Sequence, residues 1–110
     1  TGTNQVWLMS GTQQDSVAPL LDEPDLDWTI AGAGDFNRDG HQDILWRHYS
    51  TGANSLWLMN GTEWESTISL PNVPTLDWRM VGTGDFDSDG DDDILWRHQT
   101  SGQNLVGILK

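Results

Sequence analysis

Apolar runs of strand length, separated by Gly, Asn, Asp and Pro, succeed one another along the chain. WTIAGAG (28–34) and WRMVGTG (78–84), DILWRH (43–48 and 93–98), and NQVWLM (4–9) and NSLWLM (54–59) are rich in Trp, Ile, Leu and Val, the composition of β-strands. ESTISL (65–70) and the looser DSVAPL (15–20) close the series. No window carries a good helical pattern. DILW and LWLM are apolar without alternation, which predicts strands covered on both faces. STGAN (50–54) reads as a hairpin turn with Gly52 at positive φ. LLDEPDLD, with Pro24, and LPNVPTLD, with Pro71 and Pro74, cannot lie in central strands and read as crossings between sheets.

The same pattern recurs every 50 residues. Trp7 matches Trp57, Trp28 matches Trp78, Gly34 matches Gly84, Asp39 matches Asp89 and Trp46 matches Trp96, and such self-similarity marks a repeat architecture. Residues 1–50 form one unit and 51–100 a second. Residues 101–110 begin a third, in which Gly107 stands where Trp7 and Trp57 stand. Four short antiparallel strands per unit predict an all-β fold of β-propeller blades, about two per chain. A ring takes roughly 4 to 8 blades. The chain is therefore expected to be a propeller fragment beside neighbouring blades, or a homo-oligomer of three or four copies around an axis. The strand at 103–109 duplicates residues 3–9, so the chain ends are expected to compete for one place, as in a domain swap.

Length and charge narrow the function. A chain of 110 residues supports one compact core. Seventeen acidic against 5 basic residues give a net charge of -12, which disfavours nucleic acid and anionic membrane surfaces as partners. The absence of cysteine excludes disulfides and thiolate zinc sites. No apolar run approaches the roughly 20 residues of a membrane span, and any export signal would stand on a precursor.

The acidic residues concentrate in GDFNRDGHQDILWRH (34–48) and GDFDSDGDDDILWRH (84–98). In the first, Asp35, Asn37, Asp39 and Asp43 place side-chain oxygens at positions 1, 3, 5 and 9 of a loop, with Gly40 at the turn and the carbonyl of His41 at position 7. In the second the set is Asp85, Asp87, Asp89 and Asp93, with the carbonyl of Asp91. Six to eight oxygen ligands around a sharp turn suit calcium, predicting two Ca²⁺ per chain. Magnesium demands a stricter octahedron and zinc prefers nitrogen and sulfur. An EF-hand is excluded, because Trp46 and Trp96 occupy position 12 and the flanks are strands. Having one more carboxylate, the second loop is expected to bind more tightly.

These two segments, with TGANSLWLMNGT (51–62), resemble the FG-GAP or VCBS-type repeats of bacterial surface and secreted proteins, and are similar to the calcium blades of integrin alpha-chain propellers. The resemblance covers about residues 1–109. It implies a propeller, one calcium ion per acidic loop, an extracellular or cell-surface location, and roles in adhesion or carbohydrate recognition.

The remaining chemistry-bearing residues are expected to be mostly structural. Six of the seven Trp pair through the repeat and suit packing between blades. Trp64 has no counterpart, since Gln14 takes its place, and is the candidate ligand contact. Arg47-His48 and Arg97-His98 lack an adjacent nucleophile; Arg is expected to pair with an Asp and His to cap backbone groups. Asp27 and Asp77 read as turn residues. The Asn60-Gly61-Thr62 sequon is uninformative. The leading expectation is a nonenzymatic calcium-binding propeller module for extracellular binding of a glycan or protein. The alternatives are a structural self-assembling unit with no ligand beyond metal, and a noncatalytic propeller part of a larger hydrolase or lyase.

Overall fold

The structure, a computed structural model, describes residues 3–20 and 23–108. Nine strands form three antiparallel sheets, and no helix occurs among the described residues. β1 (Gln5–Ser10) and β2 (Gln13–Pro19) make a two-stranded sheet. β3 (Trp28–Gly34), β4 (Asp43–His48), β5 (Asn54–Asn60) and β6 (Glu63–Leu70) make a four-stranded meander. β7 (Trp78–Gly84), β8 (Asp93–His98) and β9 (Asn104–Gly107) make the third sheet. The described residues form no closed propeller, which is consistent with a fragment of that architecture.

The repeat is reproduced strand by strand. β3–β4 and β7–β8 share one register, including a shift just after Ile30 and Met80. β1–β2 and β5–β6 share another, with a bulge between Leu8 and Met9 and between Leu58 and Met59. In both outer pairs the strands reach further than their apolar segments, so that Gln13 and Gln14, and Glu63 and Trp64, are in strand conformation. The looser DSVAPL segment, apart from Leu20, thus lies in a full seven-residue strand. Of the expected strand at 103–109, residues 104–107 are in strand conformation, and Leu109 lies outside the described residues.

The middle strands of the four-stranded sheet, β4 and β5, are covered on both faces, which accounts for their unalternating apolar runs. Leu45 and Leu56 pack against Met80, Ile94 and Trp96 of the third sheet. Trp46, Trp57 and Met59 pack on the other face with Leu20 and Val6. Adjacent sheets also meet along β3 and β7, where the Thr83 hydroxyl donates to the Ala33 carbonyl at 2.7 Å.

Arg47 departs from expectation. Its guanidinium is fully buried and pairs with no Asp among the described residues. It donates instead to Asn54 Oδ1 (2.9 Å) and to the carbonyls of Gly52 (3.3 Å), Val73 (2.9 Å) and Thr75 (3.3 Å), with its plane 5.1 Å from the Trp96 ring. The crossing at 71–77 folds over the end of β4 and presents carbonyls where the sequence led us to expect a carboxylate. Burial lowers the Arg47 pKa, yet a guanidinium stays charged. The histidines do meet backbone groups: His48 Nδ1 accepts from Ser50 N–H at 3.3 Å and His98 Nδ1 from Ser101 N–H at 3.1 Å. Trp28 and Trp78 stand edge-on to these imidazoles at 4.9 and 5.0 Å. Trp7 packs least well of the paired indoles, being 56% exposed against 6% for Trp57.

Candidate metal centres

Both acidic loops connect the first two strands of a sheet, and their backbone is wound by the carboxylates themselves. Asp35 accepts the N–H groups of Asp39 (3.3 Å) and Gly40 (2.9 Å), and Asp39 accepts that of His41 (2.9 Å). The second loop repeats this, with Asp85 accepting from Asp89 (3.1 Å) and Gly90 (2.9 Å), and Asp89 from Asp91 (3.0 Å). The turn requires left-handed backbone at two points, Arg38 and Gly40 in one loop (φ 60° and 83°) and Ser88 and Gly90 in the other (61° and 90°). Glycine takes that conformation freely; Arg and Ser do so only under constraint.

Each loop ends on a fully buried carboxylate, Asp43 or Asp93. Asp43 accepts Phe36 N–H at 3.0 Å through one oxygen and Met59 N–H at 3.0 Å through the other, while Asp93 accepts Phe86 N–H at 3.1 Å. These backbone bonds hold the ninth position rigidly beneath the exposed part of the loop.

The winding brings carboxylates together. Ligand oxygens of Asp35, Asp39 and Asp43 lie within 4.8 Å of one another, and so do those of Asp85, Asp87, Asp89 and Asp93. The Asn37 amide adjoins the first group, within 3.0 Å of Asp39 Oδ1 and 3.2 Å of Asp35 Oδ1. With its nitrogen turned to them it donates to both; with its oxygen turned to them, three oxygens converge as cation ligands do. The side chains of His41 and Asp91 belong to neither cluster. Asp91 instead forms a two-pronged bridge to Arg38, at 2.8 and 3.2 Å, and this raises the Arg38 pKa. In the four-carboxylate loop, desolvation and then the neighbouring Asp89 push the Asp87 pKa up.

The two centres touch. Asp92 accepts Asp35 N–H at 2.9 Å through its carboxylate, and its own N–H donates to the Asp35 carbonyl at 3.3 Å. Arg38 and Asp92 carry no ligand signal in the motif, because their role depends on the neighbouring repeat.

Residues 35–96, more than half of the chain, match the FG-GAP-like repeat family. The chain belongs to that family. No curated protein and no solved structure matches it. The matched span of this FG-GAP-like chain opens at the first ligand position of loop one and closes at Trp96, so it contains both acidic loops and, of the four-stranded sheet, the strands β4, β5 and β6.

Elsewhere in the FG-GAP-like fold, Trp64 is 44% exposed and its indole N–H donates to Thr67 Oγ1 at 3.0 Å. It edges a cavity of about 270 Å³ with Trp28, Trp46, Trp57, Glu23 and Ser55. The buried Trp46 indole N–H has no acceptor among the described residues. A third acidic group, Asp25, Asp27 and His48, is a hydrogen-bonded corner: His48 Nε2 lies 3.0 Å from Asp25 Oδ2, and Ser50 Oγ donates to Asp27 Oδ2 at 2.7 Å. No helix among the described residues is long and apolar enough to cross a membrane.

Proposed function

We propose that this chain is a calcium-binding pair of propeller blades that works by binding rather than catalysis, outside the cell, with each ion fixing the connection between the first two strands of a sheet. The observation that carries this reading is the convergence of four carboxylates, Asp85, Asp87, Asp89 and Asp93, within 4.8 Å of one another. Two such charges at roughly 4 Å repel by about 1 kcal/mol in water and about 4 near a protein surface, and a dication removes that cost. The donors are all oxygen, which suits calcium. Extracellular calcium modules bind with dissociation constants of roughly 10⁻⁴–10⁻³ M, a range that fits an exposed loop of this kind.

For the ligand, the cavity beside Trp64 is the proposed contact, its aromatic walls matching the apolar faces of a sugar or a protein side chain. The competing reading is a structural unit whose only ligand is metal. Thermal unfolding with calcium and with chelator tests the metal; equal melting temperatures would overturn it. A glycan array separates the two readings, since silence there, with a closed oligomer by mass, favours the structural one.

A further inference from the structure

The three sheets hold two, four and three strands, and the repeat says which strands each one has. β1–β2 corresponds to β5–β6, and β7–β8–β9 to β3–β4–β5. The first sheet therefore holds the outer half of a blade, and the third holds the first three strands. β1 and β9 correspond to the same strand, β5.

They are not equally suited to it. β5 lies on β4 with Ile44 opposite Trp57, Leu45 opposite Leu56, Trp46 opposite Ser55 and Arg47 opposite Asn54. β9 lies on β8 in the same register, but Gly107 stands opposite Ile94 where Trp57 stands opposite Ile44. Trp57 packs against Trp46 with ring centroids 4.7 Å apart and the planes tilted by 51°. Its absence in the third sheet leaves a cavity of about 200 Å³ lined by Trp96, Ile94, Met80, Gly107, Pro71 and Val73. β1 carries what β9 lacks: Trp7, followed by Leu8 and Met9, with Asn4 at the position of Asn54 and Asn104, whose amide oxygens each receive an arginine at 2.9 Å. Met9 is 50% exposed, against 1% for Met59.

The first sheet shows the reciprocal lack. Met80 of β7 is buried against Leu45 and Leu56 of the preceding sheet, whereas its counterpart Ile30 is 44% exposed. A cavity of about 430 Å³ adjoins, lined by Val6, Leu8, Ala33, Ile44 and Met59 among others. Strands equivalent to β3–β4, placed beside β1, would cover both. β7–β8 are such strands.

We infer that two copies of this 110-residue chain exchange strands: the β1–β2 hairpin of one displaces β9 of the next and pairs with its β8, seating Trp7 in the cavity beside Trp96. The register is fixed by the repeat, with Ile94 opposite Trp7, Leu95 opposite Val6, Trp96 opposite Gln5 and Arg97 opposite Asn4. The hairpin arrives preassembled, because β1 keeps its bonds to β2. The exchange surrenders the four-residue β8–β9 pairing and returns an equivalent one plus a buried indole and a fourth strand. Leu95 of the receiving copy then covers Ile30 of the donor, as Leu45 covers Met80. Every junction is head-to-tail, so the contact propagates until a ring closes. This inference rests on the propeller reading of the fold and not on calcium.

The chain contains no cysteine, so a Val6→Cys, Leu95→Cys double variant reports the pairing directly. Mild oxidation is expected to give a ladder of covalently joined chains on a nonreducing gel, and the single variants none. Within one chain the four-stranded sheet separates β1 from β8, so an intrachain disulfide, or monomers only, overturns the inference. Light scattering of the unmodified chain is expected to give a multiple of 12.3 kDa, and a monomeric mass at all concentrations overturns it. Gly107→Trp, which returns the indole to β9, is expected to raise the concentration of half-dissociation by about tenfold or more; this variant stays informative if Trp7→Ala misfolds, and an unchanged value counts against displacement of β9. Both measurements are made in calcium and in chelator. Crosslinking in both conditions upholds the exchange even if calcium titration is flat, whereas a calcium isotherm from a monomer upholds the metal reading and sinks this one.

Discussion

Asp43 Oδ1 accepts the backbone N–H of Met59 at 3.0 Å, tying the last carboxylate of the first acidic loop to the third strand of its sheet. With its other oxygen on Phe36 N–H, the residue is a structural fastening whether or not a cation is bound. Asp43→Ala is therefore expected to cost about 2–4 kcal/mol by urea denaturation in chelator, since two backbone donors lose their acceptor. Asp39→Ala, on the exposed side of the loop, is expected to cost about 1 kcal/mol or less under the same conditions. Equal losses would show that the buried bonds do not matter.

The two hairpin glycines before β5 and β9 separate backbone conformation from steric enclosure. Gly52 and Gly102 share a left-handed φ of 80° and 76°. A Cβ on Gly52 would lie 2.3 Å from the Val73 carbonyl oxygen and 2.7 Å from Pro74 Cα, while one on Gly102 would meet nothing closer than Arg97 Nη2 at 3.7 Å. Gly102→Ala is expected to cost about 1–2 kcal/mol, the left-handed penalty alone. Gly52→Ala must also displace the crossing that caps Arg47, so a loss of about 3 kcal/mol or more is expected. Denaturant midpoints of the two variants measure the difference.

The strands, the repeat and the acidic loops were legible in the sequence because each is local: a run of apolar residues, a spacing of 50, alternate oxygens before a glycine. What escaped depends on the neighbouring repeat. The carbonyl cradle of Arg47 is built by Val73 and Thr75, and nothing near position 47 announces that a later loop will fold over it. The Arg38–Asp91 bridge joins residues 53 positions apart at points where the repeats differ, Ser88 and His41 standing at the equivalent places. Trp64 was singled out for lacking a counterpart, and the structure sets it at the rim of a cavity whose other indoles come from three different strands.

Arg47 and Arg97 give a paired test of that cradle. Arg47 is wholly buried, whereas Arg97 is exposed and, among the described residues, donates to the Gly102 carbonyl and Asn104 Oδ1. Lysine cannot span several acceptors with one fork. Arg47→Lys is expected to cost about 2–4 kcal/mol, and Arg97→Lys about 1 kcal/mol or less. Similar losses at both positions would mean that the cradle contributes nothing.

Acid should act on the corner at His48. The Asp25 pKa lies below its ordinary value, held there first by the Asp27 backbone N–H and then by His48. A carboxylate with a depressed folded pKa stabilises the fold above its unfolded pKa, and that contribution fades as pH falls through the folded value. The stability gap between the unmodified chain and Asp25→Asn is thus expected to be complete above about pH 4 and to close progressively below it. Urea titrations from pH 2 to 6 follow the gap; a constant difference would assign it to something other than ionisation.

Unequal charge in the two loops predicts unequal calcium affinity. Loop one clusters Asp35, Asp39 and Asp43 with the neutral Asn37, whereas loop two clusters four carboxylates. Mutual repulsion is greater in loop two, so neutralisation by a dication releases more energy there. Calorimetry is expected to resolve two sites, the tighter one lost in Asp89→Ala and the weaker in Asp39→Ala, both substitutions sparing the buried Asp93 and Asp43. Converting Asn37 to Asp should bring the first site toward the second. At a free calcium concentration of one hundred times its dissociation constant, each site adds about 2.7 kcal/mol of stability, which thermal unfolding reads independently. If Asn37→Asp left the first affinity unchanged, ligand charge would not be what sets the order.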